Sequence, residues 1–89
     1  MIRREVLEKA IACVCNGREL EYGTPEDNFS LVARFWDLYL DGRQPTAHDV
    51  AIMMALMKIA RIATGVQKED SYVDAAGYIA CAYEVGGAK

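Results

Sequence analysis

Apolar residues recur at three- and four-residue spacing along nearly the whole chain, and this spacing predicts helices. Val6, Leu7, Ala10, Ile11 and Val14 form one such series and predict a helix over about 2–16, ended by Asn16-Gly17, two residues that tolerate left-handed backbone. Phe29, Val32, Ala33, Trp36 and Tyr39 or Leu40 form a second, over about 25–40. Thr24 is placed as its N-cap and Pro25 as its first residue, with Asp27 spaced to return a capping-box bond. The turn Asp41-Gly42-Arg43-Gln44-Pro45 leads to Thr46 and Asp49, a second capping box, which opens a third helix over about 47–64. A fourth runs over about 70–84, with Asp70 as a candidate cap and Gly77 in its interior. A mid-helix glycine is about 1 kcal/mol less favourable than alanine, which points to close approach by another backbone or a ligand. No strand-like alternation of any length occurs, so the pattern predicts an all-α, four-helix bundle-like unit within a single helical domain, 1–89.

The third series differs from the others because it is apolar almost all round, from Val50 through Met53, Met54, Leu56, Met57 and Ile59 to Ala63. A helix of that kind must be covered on most sides. A short chain has too little material to do so, and 53% apolar residues exceeds the usual ~45–50%. Oligomerisation, most simply a homodimer burying Met53, Met54 or Met57 with part of the second helix, is therefore expected. Trp36 is the largest hydrophobe and suits either a core or interface anchor or a base-stacking role.

A net charge of −3 and a pI near 5.0 argue against duplex DNA, whose binders depend on Lys and Arg. DGRQPT before the third helix resembles the turn of a helix-turn-helix, but the helix after it offers apolar residues where base-reading side chains belong. With no apolar run near 20 residues and no signal-peptide pattern, no membrane span is expected and the cytoplasm is the default location. Cys13, Cys15 and Cys81 lack zinc-type spacing and are read as buried thiols. His48, without a second His or a nucleophile at suitable spacing, is read as solvated.

Lys58 and Arg61 break the apolar third helix, and Asp70 and Asp74 answer them on the fourth, where Asp70, Asp74 and Tyr78 share a face. An antiparallel hairpin would bring the pairs level, Lys58 lying near Asp74 or Tyr78. Two readings follow. In one, the four charges are a structural clamp, since charge on an apolar face must be paired. In the other, Lys58, Arg61, Tyr22 and Asn28 are phosphate-binding candidates, and Asp70 and Asp74 hold Mg²⁺, the combination that phosphoryl or pyrophosphoryl chemistry needs. Glu84 is a further candidate for such a pocket, and Asn28 can either reach a ligand or cap its loop.

R-x-x-x-Y-G-x-P-x-x-N-F (Arg18 to Phe29), A-x-x-W (Ala33 to Trp36), D-V-A-x-M-M (Asp49 to Met54), K-I-A-R (Lys58 to Arg61) and D-x-x-x-D-x-x-G-Y (Asp70 to Tyr78) follow one another in the chain. Together they resemble a family of small phage and prophage proteins of unknown function, over about residues 3–84. More distantly, the four-helix pattern resembles the MazG-type all-α nucleoside triphosphate pyrophosphohydrolases, which hold Mg²⁺ with an E-x-x-E pair on one helix and an E-x-x-D pair on the next. That resemblance implies nucleotide binding or hydrolysis with Mg²⁺. The chain departs from the pattern: Lys58 and Arg61 stand where a carboxylate pair is sought, and the later pair is D-x-x-x-D. Three classes of function are thus in view: a nucleotide-binding or hydrolysing protein, a non-enzymatic helical assembly or interaction module, and a helix-turn-helix DNA binder.

Overall fold

A computed structural model describes residues 2–15, 24–65 and 69–87. Its described residues form four α-helices and no strand: α1, Arg3–Cys15; α2, Pro25–Tyr39; α3, Ala47–Ala63; and α4, Glu69–Ala82, which continues into a π-helical turn, Tyr83–Gly87. The most extensive packing is α3 on α4, followed by α1 on α4 and α2 on α3. The helices therefore follow one another in space as α1, α4, α3, α2.

Local chemistry sets the helix ends. Thr46 Oγ1 accepts from the backbone N–H of Asp49 at 3.1 Å, and Asp49 Oδ2 accepts from that of Thr46 at 2.9 Å, a complete capping box at α3. Those bonds hold the Asp49 carboxyl below its ordinary value, the backbone N–H of Thr46 being the main cause. At α2 only half of the expected box forms: Thr24 Oγ1 accepts from Asp27 N–H at 3.2 Å, and no return bond from the Asp27 carboxylate exists among the described residues. Helix α4 starts at Glu69, so Asp70 stands inside the first turn instead of capping it. Between α2 and α3, Asp41, Gly42 and Gln44 all have positive φ, and Asp37 Oδ1 accepts from Gln44 N–H at 2.5 Å, stabilising a backbone that Gln rarely adopts.

Phe29 and Ala33 of α2, Val50 and Ala51 of α3, and Cys81 and Ala82 of α4 make the core, with Val32, Trp36 and Tyr78 packed around it. Alanines dominate, which lets the helix axes approach closely, and among the described residues Val50 is the largest side chain essentially withdrawn from solvent. Trp36 is thus a core-flanking residue. Cys81 is buried, whereas Cys13 and Cys15 are exposed on α1, against the expectation of three buried thiols. The small hydrophobes of α1 contribute only Ala10 fully, with Val6 and Val14 half-buried and Leu7 and Ile11 open.

Much apolar surface remains uncovered. On α2, Leu31, Phe35 and Leu38 recur at four- and three-residue spacing opposite Phe29 and Ala33, with Phe35 65% and Leu38 79% exposed. Of Tyr39 and Leu40, the two alternatives for the end of the buried stripe, Tyr39 is 91% exposed and Leu40 takes the inner position. On α3, Met53, Leu56, Met57 and Ile59 are exposed while Val50, Ala51 and Ala55 face inward. The radius of gyration, 13.6 Å, exceeds the ~12 Å expected of a compact chain this long, in keeping with a shallow core.

The π-helical turn packs Val85 inward and lays Gly86 on His48. A Cβ at residue 86 would lie 2.5–2.7 Å from three His48 atoms, so the ring, though solvent-exposed on its other side, is a packing surface. Gly86→Ala should lower stability by about 1–3 kcal/mol through this overlap, and adding His48→Ala should restore most of the loss, read from urea-denaturation midpoints. A wild-type midpoint for Gly86→Ala alone would show that the contact yields freely.

Candidate functional site

The antiparallel packing of α3 on α4 brings Lys58 to Asp74, with Nζ 3.0 Å from Oδ2. Lys58 is well covered, its side chain 14% exposed, while that of Asp74 is 35% exposed. The Lys58 side chain is thus mostly covered and its charge is met by its partner, while the carboxylate keeps an open side. No other polar contact to Asp74 exists among the described residues, which leaves Oδ1 as a free acceptor.

Asp74 also lines a cavity of about 170 Å³ where the end of α1, the start of α2 and the middle of α4 meet. Asp74, Gly77 and Tyr78 come from α4, and Asn28 and Phe29 from α2. Helix α1 closes it with Cys13 and Val14. Phe29 and Tyr78 stand with ring centres 6.1 Å apart at 44°, a tilted aromatic pair within the range of favourable contacts. Gly77 explains itself here: a Cβ on it would sit 3.0 Å from Val14 Cγ1, so the close approach predicted from its mid-helix place is made by a side chain of α1.

Asn28 does not cap α2, because Thr24 does. It is the fourth residue of the helix, its backbone N–H bonded to Thr24 O at 2.9 Å, and its side chain lines the cavity. Neither the Asn28 amide nor the Tyr78 hydroxyl has a hydrogen-bond partner among the described residues. An amide, a phenol and a half-free carboxylate therefore converge with unspent hydrogen-bonding capacity. Such convergence in a concave, partly aromatic space is what a small-molecule site requires.

The remaining candidates lie differently. Arg61 is exposed one turn beyond Lys58 and makes no ion pair among the described residues. Asp70 is exposed and acts electrostatically on Lys9 of α1, whose ammonium is raised above its ordinary value chiefly by its hydrogen bond to Glu69. Glu84 is exposed in the π-helical turn and does not line the cavity. Tyr22 lies outside the described residues. Among the described residues, no three His, Cys, Asp or Glu side chains come together to hold a metal ion. Among the wall residues that sequence reasoning did not name as site candidates, Cys13, Tyr78 and Cys81 carry a thiol or a phenol. The four-residue step from Asp74 to Tyr78 signals a shared face, whereas nothing local signals that Asn28 and Cys13 lie across from it.

Comparison with known proteins adds the family. The model of a domain of unknown function, DUF6378, matches residues 5–86. The chain belongs to the DUF6378 family. Two phage relatives, both called Gene 55 protein, are similar to it: that of Mycobacterium phage L5 is 41% identical over 66 residues, covering 73% of this chain and 42% of the relative. That of Mycobacterium phage D29 is 38% identical over 76 residues, covering 85% and 50% respectively. This DUF6378 chain thus spans about half the length of these curated relatives. No solved structure matches it.

The DUF6378 match contains every residue of the cavity and the ion pair. Lys58→Met with Asp74→Leu should fold with near wild-type stability, since hydrophobes can replace a covered pair, while the single variants should be destabilised and a double-mutant cycle should return a coupling of about 1–3 kcal/mol. Denaturation of the four proteins checks this. Additive single effects would mean that the pair contributes nothing to the hairpin.

Proposed function

We propose that this DUF6378 chain is a nucleotide-binding module whose site is the cavity between α1, α2 and α4 together with the Lys58–Asp74 pair. The observation that carries the reading is the convergence of Asn28, Tyr78 and Asp74, all with free hydrogen-bonding capacity, beside a fixed cation. A cavity of about 170 Å³ falls below the roughly 300–1,000 Å³ of ordinary ligand clefts, so part of the ligand lies outside it. Phosphates would extend along α3, where Arg61 offers an exposed guanidinium and Lys58 a charge that is already positioned. Mg²⁺ enters as a companion of those phosphates, with Asp70 as its protein ligand outside the cavity, Asp74 being engaged by Lys58 and by the cavity. Hydrolysis of the MazG type would require this metal, and the partial carboxylate set supports binding more than turnover. A MazG-like arrangement and a cytoplasmic location belong to the same proposal.

In a thermal-shift screen of dNTPs and NTPs with and without Mg²⁺, ligand at 100 times its Kd should stabilise the chain by about 2.7 kcal/mol, and Lys58→Met/Asp74→Leu should abolish the shift. If no nucleotide moves the midpoint of the wild type under either condition, the proposal fails.

A second reading, a helical assembly module in which the pair is a clamp, is favoured by the uncovered apolar faces of α2 and α3. The occupant that fits them is a second copy of this chain: Leu31, Phe35 and Leu38 with Met53, Leu56 and Met57 supply the apolar core of an interface needing ~800 Å² from each partner. Nucleotide binding and dimerisation are compatible. Sedimentation at low micromolar concentration should show a dimer, and Phe35→Glu/Leu38→Glu should shift it to monomer with helical content retained; a wild-type monomer would overturn this reading.

A further inference from the structure

We infer that the cavity receives the base of the nucleotide, and specifically a nucleobase bearing an exocyclic amino group. This rests on the nucleotide-binding reading and assigns a chemical class to its enclosed half.

Size sets the first limit. About 170 Å³ admits a flat ring system but not a sugar and phosphates as well. The walls suit a planar heterocycle, since two of the lining residues, Phe29 and Tyr78, are aromatic, with ring centres 6.1 Å apart.

Charge sets the second. Lys58 and Asp74 together are neutral, so an anion entering the cavity meets the carboxylate and a cation meets the nearby ammonium. A neutral ligand with its own donors and acceptors is left. Asn28 can donate and accept at once, the pairing geometry that reads the amino and ring-nitrogen edge of adenine. Asp74, with Oδ1 free, is acceptor only, and therefore calls for an N–H such as the exocyclic amine of cytosine or adenine. Thymine and uracil offer that carboxylate only an imide N3–H flanked by two carbonyl oxygens, whose lone pairs repel it. A site built to bond a polar group discriminates strongly against an analogue that lacks it.

The test separates the base from the phosphates by titrating the full chain, by calorimetry, with 2′-deoxyadenosine, 2′-deoxycytidine, thymidine and inorganic tripolyphosphate with Mg²⁺. Deoxyadenosine or deoxycytidine should bind at least tenfold more tightly than thymidine. Asn28→Ala should weaken that binding on the order of tenfold without changing tripolyphosphate binding, and Tyr78→Phe, which keeps the ring, should weaken it less. Circular dichroism confirms that both variants fold. Nucleoside binding without tripolyphosphate binding would support the base pocket and count against the phosphate reading. Tripolyphosphate binding with no nucleoside binding, with equal affinity for thymidine, or with nucleoside binding unmoved by Asn28→Ala, would overturn the base assignment alone. Absence of all binding would overturn both.

Discussion

One ion pair, Lys58 with Asp74, ties together the two most extensively packed helices of this fold. Lys58 lies one turn after the packed Met54 on a helix whose inner face is otherwise apolar, and with its side chain only 14% exposed its charge needs a counter-charge within contact distance. Asp74 supplies it at 3.0 Å, which fixes the axial register of α3 against α4 more narrowly than interchangeable alanine contacts would. Once α4 is set, its other side receives α1 through Gly77 and Val14, and its middle faces the start of α2. The cavity is what remains where three helices meet around a carboxylate that could not be fully buried.

The small core has a matching consequence. Alanine-rich contacts bring helices close but remove little apolar area per residue, at roughly 25 cal/mol per Å². Long side chains such as Phe35, Leu38, Leu56 and Tyr39 are left outside. Exposed apolar residues scattered singly are ordinary, but stripes repeated at helical spacing on two helices mark surfaces that association would cover. The ligand site and the apolar faces are separate features of the same economy: close-packed hairpins leave polar groups at a junction and large hydrophobes on the rim.

Membership of the DUF6378 family places the chain beside proteins of two mycobacteriophages without assigning it an activity. Those relatives are about twice as long as the matched stretch, so the α1–α4 unit corresponds to about half of each. The cavity and the Lys58–Asp74 pair both fall within residues 5–86, the stretch that the family model matches.

By itself the sequence determined what depends on near neighbours. Periodicity, the capping box at Thr46 and Asp49, and the stop at Gly65 act within one or two turns, so the four helices were legible from spacing. The level of Lys58 was legible as well, near Asp74 or Tyr78, because a short link forces antiparallel packing; the structure pairs it with Asp74. Only the tertiary structure decided which apolar residues stay outside, that Asn28 faces a cavity instead of capping, and that Arg61 and Asp70 do not join the pair. These depend on how helices distant in sequence rotate about their axes. A rotation of tens of degrees moves Leu38, Asn28 or Asp70 between core, cavity and solvent while leaving every local hydrogen bond intact, so local pattern carries no record of it.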